Sequence, residues 1–578
     1  MQSMSDAVSV PLPATLPEDA VFPDARAAAL RDAQETHVWD WSWPPGCATL
    51  STLPDSERYG LRFVAETAKL QVEVAANHAA VALDGAELPR TLRVPSSHDD
   101  LLKTLFSAAE DFHVGAPRTR PGSPDGYARY FAKLPAPPLL TRLQERPEEA
   151  DLLFAWQRVA GANPMALHRV ARVPDDMPVT EQHWSAAGLG ETLASALDDG
   201  RVFAVDYTLL HGAPATRYLG RQKYLCGARA LFTTVGGPLR PVAIQLEPGA
   251  AVTTPADGAA WAMARFGFNV ADANAHETME HLGATHLVME ALGIGARRNL
   301  APEHPLRRLV EPHLVGTFAI NHSAKTSLIA PGGVIDKVFA ARIDVAASLV
   351  RVSLDRFVLQ DRAPAKELAA RGLDDRARMP ENPYRDDVTA VYDAIARFCD
   401  GYVRTFYADD AAVARDVELR AWVAGVASPI GGALKGVRPV ETLADLATWM
   451  ANLVHIASAQ HAAVNFPQYP YFGWGANTAG ACWGPLPTAT ADDASLLALM
   501  PPWDCIALQT DTVYQLSSVY YNHLGDYGLS LPLKVAPLVS RFADELAALD
   551  ARIAEADATR RLTYPFLRPS LIPASINI

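Results

Sequence analysis

The stretch Asp272-Ala-Asn-Ala-His276-Glu-Thr-Met-Glu-His281-Leu-Gly-Ala-Thr-His286 places three histidines at intervals of five residues. It is rich in alanine and contains no proline, which favours a helix. In a regular α-helix, side chains five residues apart point about 140° away from each other, so two such histidines would not share one metal ion. A local π-turn with i→i+5 hydrogen bonds would align them, and Gly283 lies where that distortion is tolerated. The spacing therefore predicts a helix with a π-turn at a functional site.

The same stretch contains a pattern that is close to a zinc peptidase motif. Four residues separate His276 from His281, and the first of them is Glu277. In HExxH only three residues separate the two histidines. The shorter motif works because residues at i and i+4 share one face of an α-helix. The additional residue breaks that geometry, so the pattern argues against a zinc hydrolase.

A second candidate pair of ligands lies far downstream. His461 and Asn465 are four residues apart on an apolar helical stretch, and alanines at 462 and 463 leave room for close approach. The sequence ends on Ile578, whose carboxylate is a further candidate. Imidazole, amide and carboxylate without thiolate suit a redox-active mononuclear iron better than a structural zinc.

Composition limits the other functions that are open to the chain. It has 578 residues, of which 49% are hydrophobic and 20% are charged, which is typical of a globular protein. The formal net charge of −14 argues against a large nucleic-acid-binding surface. Five scattered cysteines without a CxxC pair, and an N-terminus without a secretory signal pattern, indicate a cytoplasmic protein. The sequence contains no uninterrupted run of about 18 apolar residues, so no membrane-spanning helix is predicted.

The pattern along the chain predicts a mainly α fold with a small β-containing region. Strands are expected at 201–210 and 241–246, which frame Gly-rich turns. Residues 1–35 are interpreted as an N-terminal arm and 36–578 as one domain. Helices are expected at 57–80, 258–293, 386–407, 441–464, 504–521 and 538–560.

Several separated blocks of the sequence resemble the lipoxygenase family. His461-Ala-Ala-Val-Asn465-Phe-Pro-Gln468-Tyr-Pro-Tyr is similar to that family's HAAVNFGQYPY block, with Pro467 in place of glycine. The histidine helix and the block at 317–321, Thr-Phe-Ala-Ile-Asn, resemble its iron-binding helix and continuation, and the tail 572–578 resembles its C-terminus. Blocks of this kind run from about residue 150 to the end, so 36–578 is expected to be a lipoxygenase-like catalytic domain.

The resemblance implies a ligand set and two residues beside it. Iron would be bound by His281, His286, His461, Asn465 and the carboxylate of Ile578. His276, His304 and His313 match histidines that are not ligands. Gln468 and Glu277 would adjoin the ligands, with Glu277 standing where glutamine is common. No protein side chain would act as the catalytic group, which would be a hydroxide on the metal; manganese is the alternative to iron.

The resemblance also implies a substrate pocket and a reaction. The pocket would be lined by Ala324, Leu328, Val338, Phe339 and Leu516, where Ala324 is typical of S-specific members and Phe339 limits depth. Thr478 stands where plant members carry an arginine for the fatty-acid carboxylate.

The implied reaction is the insertion of O2 into polyunsaturated fatty acids, linoleate or arachidonate, to give S-configured hydroperoxides. The alternatives are a hydroperoxide isomerase of the same family and an inactive lipid-binding relative. We also expect a monomer without the N-terminal β-sandwich that many eukaryotic members carry.

Overall fold

Helices dominate the part of the chain that the computed structural model describes, which is residues 14–81, 118–486, 491–528 and 530–578. The α-helices are α1 (Pro23–Thr36), α2 (Leu61–Val81), α3 (Pro138–Glu145), α4 (Ala150–Ala160), α5 (Glu181–Ala186), α6 (Leu193–Asp198), α7 (Ala259–Ala275), α8 (Val288–Asn299), α9 (Pro305–Val310), α10 (Thr317–Ser323), α11 (Val334–Val338), α12 (Ile343–Arg356), α13 (Pro364–Arg371), α14 (Pro383–Phe406), α15 (Asp410–Arg415), α16 (Val417–Ala427), α17 (Leu443–His455), α18 (His461–Asn465), α19 (Gln468–Phe472), α20 (Asp493–Leu499), α21 (Trp503–Leu516) and α22 (Ala536–Asp557). The π-helices are His276–Leu287, Ala324–Leu328 and Ile456–Gln460. The strands are β1 (Trp39–Asp40), β2 (Thr49–Leu50), β3 (His168–Arg169), β4 (Val202–Asp206), β5 (Arg217–Tyr218), β6 (Arg221–Gln222), β7 (Arg229–Thr233) and β8 (Arg240–Gln245). The mainly α fold predicted from the sequence is confirmed.

The histidine-bearing helix is continuous but changes its winding. The α-helix α7 passes at residue 276 into a π-helix of 12 residues, which returns to α-helical winding in α8. The predicted π-turn is therefore confirmed, and it is longer than a single turn. Most side chains of α7 and α8 are buried, because alanine, glycine and aliphatic residues occupy all faces of this stretch.

Gly283 allows the π-helix to pack closely against α12. A Cβ at position 283 would lie 2.8 Å from both Cβ and Oγ of Ser353. The Ser353 hydroxyl also donates a 2.7 Å hydrogen bond to the carbonyl of Met279. Glycine is therefore required here by the close approach of a neighbouring helix.

The β-containing region is a four-stranded antiparallel sheet with the order β3-β4-β7-β8. Alternate residues of β4 face opposite sides: Phe203 and Val205 join the large helical core, whereas Val202 and Ala204 join a small cluster with Trp184 of α5. The predicted strand at 201–210 ends at Asp206, since the Asp206 carboxylate accepts hydrogen bonds from the amide and hydroxyl of Thr208 and starts a turn.

The N-terminal segment interpreted as an arm includes a helix that packs on the rest of the chain. Residues 1–13 lie outside the described residues, but 23–36 form α1 on the surface of the helical core. Arg26 is buried, and its Nη2 lies 2.9 Å from the Glu418 carboxylate of α16. That carboxylate also accepts a 2.9 Å hydrogen bond from the amide of Ala301. A buried charge needs such a partner, and the partner lies nearly four hundred residues away in sequence.

A short hairpin follows α1 and reaches the wall of the site described below. Its strands β1 and β2 pair Asp40 with Thr49, and Lys325 contacts both of these side chains. On the other side, Arg351 donates a 2.7 Å hydrogen bond to the carbonyl of Gly46. The hairpin is therefore held from two directions.

Within the described residues, we find no helix that combines the length and apolar character needed to cross a lipid bilayer.

Candidate metal centre and adjoining cavity

Three imidazoles from two helical segments meet at one point. His281 and His286 come from the long π-helix, and His461 begins α18. The Nε2 atoms of His281 and His286 are 3.3 Å apart, and one nitrogen from each of the three rings lies within 4.8 Å of the others. The wider winding of the π-helix brings residues five apart onto one face.

His281 is oriented by a carboxylate on its own helix. Its Nδ1 lies 3.0 Å from Oε2 of Glu277, and Nδ1 of His276 approaches the other oxygen of that carboxylate. Burial raises the pKa of Glu277, but the hydrogen bonds with His276 and His281 outweigh this effect and leave the pKa below its ordinary value. Nδ1 of His281 therefore carries the proton, and Nε2 presents its lone pair to the cluster.

His286 is oriented by an amide from α10. Its Nδ1 donates to Oδ1 of Asn321 over 2.7 Å, and Nδ2 of Asn321 donates to Oε2 of Glu290 over 2.9 Å. The other oxygen of Glu290 accepts a 2.7 Å hydrogen bond from the amide of Leu50. Burial raises the pKa of Glu290 to about 7, although these hydrogen bonds act to lower it. This chain connects the N-terminal hairpin to the histidine cluster.

His461 has a buried nitrogen that no described group satisfies. Its Nε2 has no hydrogen-bond partner among the described residues, although buried polar atoms are normally paired. Burial lowers the pKa of His461 well below its ordinary value, and the pKa of His286 to about 3; the neighbouring imidazoles act in the same direction. Neutral imidazoles with free lone pairs are the form that binds a metal ion.

The remaining predicted ligands lie next to this cluster. Asn465 is one turn after His461 in α18; its Nδ2 donates to the carbonyl of Leu516, and its Oδ1 accepts a 3.0 Å hydrogen bond from Gln468. Ile578 is 1% exposed and borders the same cavity as His281. Asn465 is therefore close to His461, and Ile578 shares the cavity with His281.

The tail that carries Ile578 is fixed by side chains from several elements. Nδ1 of His313 lies 2.6 Å from the carbonyl of Ala574, and Ser575 donates to the carbonyl of Val315. A Cβ at Gly316, whose φ is +80°, would lie 3.1 Å from Cβ of Asn577. These contacts give His313 a structural role outside the cluster.

The other two histidines singled out as non-ligands also have structural partners. Nε2 of His276 lies 2.8 Å from the carbonyl of Val464, which joins the two ligand-bearing segments. His304 caps α9 through the amide of Leu306 and pairs with Asp416 over 2.9 Å. Neither belongs to the group of three whose nitrogens converge.

An apolar cavity opens onto the histidine cluster. All five pocket residues predicted from the resemblance line it: Ala324, Leu328, Val338, Phe339 and Leu516. The cavity walls also include residues that had no predicted role, from the N-terminal hairpin, α12 and α21: Trp43, Pro44, Ile343, Ala346, Ala347, Val350, Thr512 and Val513. Glu277 and Gln468 reach its metal-proximal end.

Thr478 and Asn321 have partners that the sequence did not predict. Thr478 does not line the cavity; it is buried, and its hydroxyl accepts a hydrogen bond from Nδ2 of Asn477. Asn321, which belongs to the family-like block at 317–321, is the direct partner of His286. The five-residue spacing together with the resemblance pointed to His281 and His286, whereas Asn321 lies 35 residues from His286 and carries no local signal.

The donor set fits one metal ion. The three imidazoles converge, two of them are held by hydrogen bonds through the distal nitrogen, and one buried nitrogen has no partner among the described residues. Nitrogen donors with nearby amide and carboxylate oxygens, and no thiolate, suit a mononuclear non-haem iron.

Comparison with known proteins agrees with this geometry. The lipoxygenase family model matches residues 123–519. A linoleate 9/13-lipoxygenase of Pseudomonas aeruginosa is 33% identical over 514 residues, covering 83% of this chain and 72% of that protein. A hydroperoxide isomerase of Mus musculus is 30% identical over 444 residues; the match covers 74% of this chain but only 62% of that protein. The crystal structure of a coral 8R-lipoxygenase superimposes with a TM-score of 0.84 at 26% identity, covering 98% of this chain and 83% of that one. The chain therefore belongs to the lipoxygenase family.

Proposed function

We propose that the protein is an iron dioxygenase that adds O2 to polyunsaturated fatty acids, of the linoleate or arachidonate type, and releases S-configured hydroperoxides. The observation that carries the proposal is the apolar cavity that ends on His281, His286 and Ile578. A bis-allylic acyl chain is the class of substrate that such walls would bury and that iron chemistry would oxidise.

The protein residues would hold the metal and fix its surroundings. The ligands would be His281, His286, His461, Asn465 and the carboxylate of Ile578. When bound, the iron supplies the one-electron chemistry for removal of a hydrogen atom from a methylene between two double bonds. Glu277 and Asn321 keep the imidazoles of His281 and His286 aimed at one point.

The cavity would place one methylene of the substrate beside that centre. Apart from the metal-proximal Glu277, the histidines and the terminal carboxylate of Ile578, the described residues that line it are uncharged. Burial of an acyl chain against such walls contributes roughly 0.8 kcal/mol per methylene group. The walls also exclude water from the radical that forms.

Two cavity residues support a more specific product. The methyl group of Ala324 would shield one end of the substrate radical, and Phe339 would limit the depth to which the chain enters. On linoleate we expect mainly the 13S hydroperoxide. This positional assignment is part of the proposal.

The test combines metal analysis with product analysis. Purified protein is expected to contain about one iron per chain and to convert linoleate and O2 to a conjugated hydroperoxide, which chiral chromatography identifies. The variant His286→Gln serves as the control and should lose both metal and activity. Consumption of added hydroperoxide without O2 uptake would instead identify an isomerase, and lipid binding without turnover would identify an inactive relative.

A further inference from the structure

Lys223 is a fully buried lysine with an unusual set of partners. It follows β6 and has no exposed surface. Its Nζ donates to three main-chain carbonyls, those of Asp336 at 2.8 Å, Lys337 at 3.1 Å and Phe339 at 2.6 Å. These carbonyls belong to the C-terminal end of α11, where the last carbonyls of a helix lack partners within the helix.

The three carbonyls explain why a charged side chain can remain here. Burial lowers the pKa of Lys223 to about 8, although Asp336 and Cys505 favour the charged form. An ammonium group has three donors and is attracted by the negative end of a helix dipole. Lysine is therefore suited to join three carbonyls that belong to different residues.

The main chain of Lys223 is itself held firmly. Its amide donates to the carbonyl of Thr216 over 3.2 Å, and the side chain of Gln222 donates to the Lys223 carbonyl over 2.7 Å. The next residue, Tyr224, donates to the carbonyl of Cys482 over 2.8 Å. The ammonium group thus connects α11 to a backbone that is fixed from two sides.

The end of α11 that Lys223 binds is a wall of the cavity. Val334, Ile335, Val338 and Phe339 all line it. The amide of Phe339 donates to the carbonyl of Ile335 over 2.8 Å, and its carbonyl is bound by Lys223. The position of the Phe339 ring therefore depends on a main-chain segment that Lys223 fixes.

We propose that Lys223 is a positioning residue that determines how far an acyl chain enters the cavity, because it holds the α11 end and with it the Phe339 ring. The inference rests on the proposed function, in which that depth decides which carbon receives oxygen. Lys223 touches no cavity space itself, so it acts through Phe339. Loss of its three hydrogen bonds lets this wall move and lets the substrate bind at more than one depth.

The first experiment measures positional specificity. Lys223→Met removes all three donors at similar volume, and we expect it to raise the ratio of minor to major linoleate hydroperoxide at least about threefold, with metal content unchanged. Lys223→Gln can donate to at most two of the carbonyls and should give a smaller increase. Lys366→Met makes the same change at a mostly exposed position outside the cavity and should leave the ratio unaltered.

Two results would overturn the inference. One is an unchanged product ratio in Lys223→Met at wild-type metal content. The other applies where that variant does not fold: an unchanged ratio in Lys223→Gln then leads to the same conclusion.

A second measurement does not depend on turnover. Hydrogen exchange of the Phe339 and Ala340 amides should be at least about tenfold faster in Lys223→Met than in the wild type, while the π-helix at 276–287 keeps its protection. Equal exchange at 339 and 340 would show that Lys223 does not hold the wall. A wild-type protein that forms no hydroperoxide would contradict the proposed function, and the exchange comparison would still decide the role of Lys223.

Discussion

Single side chains decide whether an imidazole can serve as a ligand. His281 and His286 are bound through Nδ1 by Glu277 and Asn321, so that their Nε2 atoms face each other. His276 sits on the same helix, but its Nε2 faces the carbonyl of Val464. Position on the helix alone therefore does not distinguish the three histidines, whereas their partners do.

The first prediction concerns this distinction. His281→Gln and His286→Gln should each reduce metal content to near zero, because each removes a converging nitrogen. His276→Gln keeps a group that can donate to the Val464 carbonyl and should retain a substantial fraction of the metal. Elemental analysis of the three purified variants checks this; equal losses in all three would contradict the assignment.

A second prediction at this scale concerns Asn321. Asn321→Leu removes the acceptor for Nδ1 of His286 and leaves Oε2 of Glu290 without its amide donor. Loss of such an orienting partner typically weakens metal binding about 10- to 100-fold. Titration of the metal-free variant with iron(II) measures the effect. Ser327→Ala, a small change on the neighbouring π-helix, is the control, and identical affinities in wild type and Asn321→Leu would contradict the role.

The third prediction concerns Ala324. Ala324→Gly removes the methyl group that is proposed to shield one end of the substrate radical. We expect an increase in R-configured product at the opposite end of the pentadiene, because the same face becomes open there. Chiral chromatography decides this, and unchanged chirality would show that this methyl does not direct oxygen.

At the scale of elements, α1 is a docked helix that carries one half of a buried ion pair. Arg26→Met would leave the Glu418 carboxylate buried with one remaining main-chain donor. Breaking a buried pair in this way typically lowers the free energy of unfolding by about 3–5 kcal/mol. Urea denaturation measures the change. Arg31→Met, on the exposed face of α1, should have little effect. Equal decreases in the free energy of unfolding for the two variants would show that the ion pair does not stabilise the protein.

The elements also show what the sequence could and could not predict. The five-residue spacing and Gly283 predicted the π-helix, because alignment of His281 with His286 demands it. The sequence did not predict the docking of α1 or the role of Lys223. Both depend on partners that only the folded chain brings near, namely Glu418 for Arg26 and the carbonyls at 336–339 for Lys223. The strand that was expected to reach residue 210 stops at Asp206, because a side-chain cap overrides strand propensity.

At the scale of the whole molecule, the metal centre joins distant parts of the chain. The cluster receives His281 and His286 from the π-helix and His461 from α18, the buried tail borders the adjoining cavity, and the Glu290 relay adds the N-terminal hairpin. A substitution that displaces any of these segments should therefore weaken metal binding.

The last prediction tests the tail. Because Ile578 is buried at the cavity, residues appended after it would have to enter that space or displace the tail. We expect such an extension to lower metal content and O2 uptake at least about tenfold. The same peptide added before Met1 is the control. Full activity of the C-terminally extended protein would contradict a role for the Ile578 carboxylate.

The π-helix also bears on how such a site can arise. In an α-helix, two histidines four residues apart already share a face. A wider turn accepts one more residue between them without rotating the helix that follows, so α8 keeps its packing. A one-residue insertion, which would misalign most buried helices, could thus have converted an ordinary histidine pair into His281 and His286. The reverse deletion would let the segment return to α-helical winding with both rings still on one side.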